Sequence, residues 1–89
     1  MVNMAAAKFI SEPIEVIAHM HHMKMIVLRF KWKETVYYVS KMVNKWQVPA
    51  GESKITHYIV ECPRQNVSAE IAFDHLNLKW EIVTYSGMR

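Results

Sequence analysis

Apolar and basic side chains alternate along residues 26–39, and this pattern favours an extended conformation for the stretch. Successive side chains of a β-strand point to opposite faces, so a two-residue alternation predicts one apolar face and one charged face. The side chains expected on the apolar face are Ile26, Leu28, Phe30 and Trp32. Those expected on the charged face are Arg29, Lys31 and Lys33. A second apolar segment follows at once, as in a β-hairpin.

Length and composition are those of one small globular domain. The chain has 89 residues, of which 52% are hydrophobic, with three Trp, four Tyr and three Phe, and this excludes intrinsic disorder. No apolar run approaches the roughly 20 residues of a membrane-spanning helix, so no membrane partner is expected. We expect a single β domain over residues 1–89, whose ends, residues 1–11 and 86–89, can be flexible. One cysteine and a start without the secretory pattern predict a reduced, cytoplasmic protein.

Turn-forming residues divide the chain into short strands. Pro13, Pro49 to Gly51 and Pro63 to Asn66 fall where strands should begin or end. The predicted strands are residues 14–18, 24–33, 36–43, 54–62, 69–74 and 79–85. Short strands with short connections predict an all-β fold, an antiparallel meander of five to six strands curled into an SH3-like barrel or a strongly twisted sheet.

Charge is distributed unevenly along the chain. Residues 1–50 hold seven Lys and Arg against three acidic residues, whereas residues 51–89 hold four against five. A basic half can mark an acidic partner such as nucleic acid. Solvated strands also carry Lys and Arg to discourage pairing at their edges, so charge alone does not decide between the two interpretations.

The hairpin register predicts a nucleic-acid-binding surface. If Glu34-Thr35 is the turn, Lys31 lies opposite Tyr38 on the solvent face. The candidate binding residues are Arg29, Lys31, Lys33 and Tyr38. Basic side chains around an aromatic ring can hold a phosphate backbone and stack a base, so nucleic acid is the first partner predicted.

Histidines and methionines crowd residues 19–25, which raises a metal hypothesis. In an extended segment His19 and His21 share a face at about 7 Å between Cα atoms, and thioethers beside imidazoles suit copper. No further ligand completes a recognised spacing, so the His19–His22 cluster is a metal-handling alternative only. The favoured interpretation is a polar loop between strands, with no cofactor.

Trp46 follows the second hairpin strand and precedes a polar stretch. It is expected to cover the open end of a barrel. The alternative is a partly exposed platform for a ligand.

Catalytic arrangements are poorly supported. Cys62 is the only thiol, and His57 lies five residues earlier on the same predicted strand, so the two side chains point to opposite faces. No glycine loop for phosphate is present. We therefore expect a non-catalytic binding module, with a protein partner or homodimerisation as the alternative to nucleic acid.

A series of motifs resembles an uncharacterised family of short bacterial proteins, a domain of unknown function. The family pattern runs Pro-Ile-x-Val, Phe-x-Trp-x-Gly-x-x-Tyr-x-Val, Trp, Tyr-x-Val, Glu-Leu, Trp-x-Leu. The matching segments here are residues 12–16, Phe30 to Trp32 with Tyr37 and Val39, Trp46, residues 58–60, residues 70–74 and residues 80–82. The chain departs from the pattern where Glu34 stands near the family's hairpin glycine. The resemblance implies a small β-fold and no assigned site.

Overall fold

The fold is built from antiparallel strands, as the sequence predicts. A computed structural model describes residues 8–88. Its strands are β1 (Lys8–Pro13), β2 (Glu15–His21), β3 (Lys24–Trp32), β4 (Thr35–Tyr38), β5 (Lys41–Ala50), β6 (Ser53–Cys62), β7 (Val67–Asp74) and β8 (Lys79–Gly87). A 3-10 turn, η1 (Pro63–Gln65), joins β6 to β7. The all-β class is confirmed, with eight strands where the sequence predicts six.

The strands form two sheets that pack against each other. The larger has the order β1-β8-β7-β6-β5, and the smaller has the order β2-β3-β4. The chain crosses between them at Ile14 and again at Val39-Ser40. The Val39 N–H donates to the Leu28 carbonyl in the small sheet, whereas the next N–H, of Ser40, donates to the Glu61 carbonyl in the large sheet. This crossing divides the single strand predicted over residues 36–43.

β1 and residues 44–50 of β5 are strand regions that the sequence does not predict. β1 alternates between half-buried and exposed residues from Ile10 to Pro13, but one of its half-buried residues is the charged Glu12, so no apolar alternation marks it. Residues 44–50 of β5 are exposed throughout, since β5 is the last strand of the large sheet. The expected flexible ends are described only in part. Residues 8–11 belong to β1, which pairs with β8, and residues 86–87 belong to β8. Residues 1–7 and 89 lie outside the described residues.

The core lies between the two sheets. Its buried members are Ile14, Val27, Phe30, Tyr37, Tyr58, Val60, Cys62, Val67, Ala69, Ile71, Phe73 and Ile82. Half-buried Trp32, Val39 and Trp80 pack against this cluster. Strand parity predicts a core of eleven residues: Leu28, Phe30, Trp32, Tyr37, Val39, Tyr58, Val60, Ile71, Phe73, Trp80 and Ile82. Ten of them are buried or half-buried, and the exception is Leu28, which is 43% exposed.

A β-bulge in β3 explains the exception. Ile17 pairs with Arg29 and the next residue, Ala18, pairs with Val27, so Leu28 is an extra residue in β3. One extra residue reverses the faces of everything that precedes it. Met25 and Val27 therefore point toward the core, while Ile26 and Leu28 are exposed, contrary to the predicted apolar face.

The β3–β4 turn lies one residue earlier than predicted. Trp32 pairs with Thr35, which makes Lys33-Glu34 the loop, and both loop residues have positive φ, 52° and 67°. Tyr38 consequently lies opposite Arg29 instead of Lys31. The pairing moves by two residues, an even number, so the paired side chains of residues 29–32 and 35–38 keep the faces that the sequence predicts.

Paired substitutions in β3 test the bulge. Phe30→Ala should lower the free energy of unfolding by about 3–5 kcal/mol, because it opens a cavity between the sheets. Leu28→Ala should lower it by less than about 1 kcal/mol, because much of that side chain is in water. Urea denaturation followed by tryptophan fluorescence measures both, and a larger loss for Leu28→Ala would contradict the reversed faces.

Glu34→Gly should stabilise the protein. A non-glycine residue in the left-handed region is strained by about 1–2 kcal/mol, and the extra freedom of unfolded glycine offsets about half of that, which leaves a gain of about 0.5–1 kcal/mol. Glu52→Gly is the matched control, since Glu52 also occupies the second position of a two-residue turn but has no positive φ. An equal gain in melting temperature for both variants would contradict this account.

Candidate nucleic-acid interface

The outer face of the small sheet carries two cross-strand rows of side chains. One row runs Ile17, Arg29, Tyr38 and the other runs Glu15, Lys31, Val36. Residues directly opposite each other in an antiparallel pair share a face, so this surface presents Arg29 and Tyr38 as neighbours. Both are exposed, as the sequence predicts.

A second arginine joins this pair from outside the sheet. Arg64 lies in η1, and its Cζ atom is 4.4 Å from the centre of the Tyr38 ring. A guanidinium over an aromatic ring is a favourable cation–π contact, worth about 0.5–1 kcal/mol at an exposed site. Tyr38 therefore has Arg64 over its ring and Arg29 as its cross-strand neighbour, and we call this group the Arg29–Tyr38–Arg64 cluster.

The side chain of Gln65 holds η1 against the small sheet. Its Nε2 group donates to the Val36 carbonyl at 3.1 Å, and its Oε1 atom accepts from the Tyr38 N–H at 3.2 Å. The amide thus bonds to the outer edge of β4 as a neighbouring strand would. Since Gln65 is adjacent to Arg64, this pair of hydrogen bonds also sets the position of the second cation.

Lys31 and Lys33 are exposed but differ in their surroundings from Arg29. The Nζ atom of Lys31 is 3.9 Å from a Glu34 carboxylate oxygen, and Glu15 is the cross-strand partner of Lys31. Lys33 lies in the turn, with its Nζ atom 5.1 Å from the centre of the Trp32 ring. Two carboxylates therefore reduce the positive potential at this end of the predicted site.

The histidine cluster is a hairpin tip. The polar loop predicted there is confined to His22-Met23, both with positive φ, whereas His19 and His21 belong to β2. The rings of His19 and His21 are stacked with centres 5.9 Å apart. Within residues 8–88 there is no group of three or more His, Cys, Asp or Glu residues that could hold a metal ion. The ring of His22 lies edge-on to that of His21 with centres 4.1 Å apart, and the three imidazoles do not form such a group.

Trp46 does not cover the end of a barrel. It pairs with His57 on the outer face of the large sheet, where the two rings are stacked with centres 5.2 Å apart. The Nδ1 atom of His57 is 2.7 Å from Glu70 Oε2. The sequence does not predict this contact of Trp46, His57 and Glu70, because it depends on the pairing of β5, β6 and β7. Trp46 is 37% exposed on an edge strand whose neighbouring residues are also exposed, so no alternation of apolar and polar residues marks it.

Cys62 is buried in the core, on the opposite side of the large sheet from His57. Burial raises the pKa of its thiol to about 11. A thiol with this pKa is almost entirely protonated near neutral pH and is a poor nucleophile. The predicted separation of Cys62 from His57 is confirmed.

Thiol labelling tests the environment of Cys62. At pH 8 the native protein should react with a disulfide reagent such as Ellman's reagent at least about 100-fold more slowly than free cysteine, because both burial and the raised pKa suppress the thiolate. In guanidinium chloride one thiol per chain should react at the ordinary rate. Rapid labelling of the native protein would contradict a buried thiol.

Among residues 8–88 no helix has the length and apolar character needed to cross a membrane. No protein-family model, no curated protein and no solved structure matches this chain. The resemblance found in the motifs therefore stays a prediction.

Proposed function

We propose that this protein is a non-catalytic module that binds nucleic acid through the outer face of its small sheet. The observation that carries the proposal is the Arg29–Tyr38–Arg64 cluster, in which an exposed aromatic ring has one arginine over it and a second arginine as its cross-strand neighbour. Aromatic and guanidinium planes both stack on bases, and guanidinium groups also bind phosphate. A compact cluster of this kind can engage a base and its adjoining phosphates together.

The local charges indicate which residues should dominate affinity. Arg29 and Arg64 flank Tyr38, whereas Lys31 has a carboxylate 3.9 Å away and a second acid opposite it. An anion at Lys31 would also be repelled by these carboxylates. We therefore assign the larger phosphate contributions to Arg29 and Arg64, and smaller ones to Lys31 and Lys33.

A protein partner or a second copy of the chain is the other candidate, because no strand in the described part of the chain pairs with the outer edge of β5. β5 is the last strand of the large sheet and has ten residues. The edge also bears Lys41, Lys45 and Pro49, residue types that discourage strand pairing. This makes edge pairing the less favoured function. The proposed location is the reducing cytoplasm, where nucleic acid is present and Cys62 would stay reduced.

Fluorescence polarisation with a labelled single-stranded oligonucleotide tests the proposal. Wild-type affinity should fall steeply between about 50 and 200 mM salt, since binding releases counterions from the phosphates. Tyr38→Ala should weaken binding by about 1–3 kcal/mol through lost stacking. Arg29→Gln and Arg64→Gln should each reduce the slope of log affinity against log salt by about 0.7–1.

Lys79→Gln is the matched control. It removes one exposed cation at the start of β8, beside the end of β7 that lies farthest from η1. This variant should keep the wild-type affinity. Absence of salt-sensitive binding by the wild type, or an equal loss in Lys79→Gln and the two arginine variants, would contradict the proposed site. Far-ultraviolet circular dichroism confirms that each variant is folded.

A further inference from the structure

The bulge in β3 turns two apolar side chains toward water on the side of the sheet that carries Arg29. Ile26 is 42% exposed and Leu28 is 43% exposed, although strand parity would otherwise place them in the core. Exposing apolar surface is unfavourable for a small domain, and bulges often re-aim side chains beside functional sites. The exposed pair lies immediately before Arg29 in β3.

A groove lies at the far end of this apolar pair, where the free part of β3 faces β5. β4 pairs with residues 29–32 of β3, and within residues 8–88 no strand pairs with the first half of β3 on that side. The groove has a volume of about 310 Å³ and is lined by Lys24, Met25, Ile26, Met42, Val43, Asn44 and Lys45. Its lining, taken over the residues that the structure describes, includes two lysines and no carboxylate, so its charge complements an anion.

The distances suit one extended ligand. Lys24 and Arg29 are five residues apart in β3, about 16 Å along the strand. This span corresponds to a few nucleotides of single-stranded nucleic acid, and the exposed side chains of Ile26 and Leu28 lie between the two cationic ends. Unpaired bases can pack on apolar side chains, whereas bases in a duplex are stacked and paired within the helix.

We propose that the Lys24–Lys45 groove is a second subsite for the same nucleic acid strand, and that the ligand class is single-stranded nucleic acid running along β3. This inference rests on the proposed function, since the first contact is the Arg29–Tyr38–Arg64 cluster. The ligand follows a track along β3 that runs from the Lys24–Lys45 groove to Arg29. Phosphates bind at the two ends of this track, and bases pack over Ile26 and Leu28. The duplex is a poorer ligand because it cannot present single bases to the middle of the track.

Oligomer length is the variable that tests this subsite. Labelled thymidine oligomers of about three, six, nine and twelve nucleotides cover ligands that reach one end of the track or both. Wild-type affinity should rise at least about tenfold between the shortest and the nine-nucleotide oligomer, beyond the gain expected from the number of equivalent positions. A duplex of matched length should bind more weakly than the single strand.

The double variant Lys24→Gln/Lys45→Gln should lose most of this gain while its affinity for the shortest oligomer stays within about twofold of wild type. Its salt slope with the long oligomer should fall by about 1.4, or about 0.7 for each cation on a single strand. Lys54→Gln/Lys79→Gln is the matched control, because it removes two exposed lysines from the starts of β6 and β8. The affinity of this control variant should rise with oligomer length as much as that of the wild type.

The outcomes separate the subsite from the proposed function. If the wild type binds every length equally, or if the Lys24→Gln/Lys45→Gln variant keeps the wild-type gain, the subsite is wrong and the Arg29–Tyr38–Arg64 cluster still binds. Tighter binding of the matched duplex also overturns the single-stranded ligand. If the wild type binds no oligomer, the subsite and the proposed function both fail.

Discussion

Aromatic packing between the two sheets is the contact on which the rest of the molecule depends. From the small sheet, the rings of Trp32 and Tyr37 lie 5.1 Å and 6.2 Å, centre to centre, from the ring of Tyr85 in β8 of the large sheet. Within the small sheet, Phe30 stacks on Tyr37 with ring centres 5.0 Å apart. The indole N–H of Trp32 also donates to Glu12 of β1 at 2.8 Å. Each sheet alone would leave an apolar face in water, so the three-stranded sheet keeps its position only while these rings are covered. The same contacts fix the direction in which its outer face points.

Much of the fold was predictable because burial in this core follows strand parity. Phe30 and Tyr37 are buried where alternation places them, and so are the central residues of β6 and β7. Parity cannot reveal a bulge, since one inserted residue leaves the local composition unchanged while it reverses the faces on one side. The exposed side chain of Leu28 is the direct result. The sequence also places the turn one residue too late, at Glu34-Thr35. Neither Lys33 nor Glu34 is of a residue type that favours the left-handed conformation, which both adopt.

The candidate site was predictable only where it is local. Arg29 and Tyr38 share a face through pairing within one hairpin, which a two-residue period can indicate. Arg64 reaches Tyr38 from 26 positions further along the chain, and what places it there is the Gln65 amide bonded to the edge of β4. Nothing in the composition of residues 63–66 points to β4. Long-range contacts of this kind become visible only once the tertiary structure is known.

The bulge at Leu28 also bears on how this surface can change over evolutionary time. Because Leu28 is the residue in excess, the loss of its codon would remove the bulge while the residues on both sides kept their partners. Strict alternation back from Arg29 would then place Val27 and Met25 inward and Ile26 outward, which are the faces that they occupy with the bulge present. Arg29 and its partner Tyr38 would also keep their pairing. A one-residue deletion at this point can therefore shorten the strand and remove one exposed apolar side chain while the core between the sheets stays as it is.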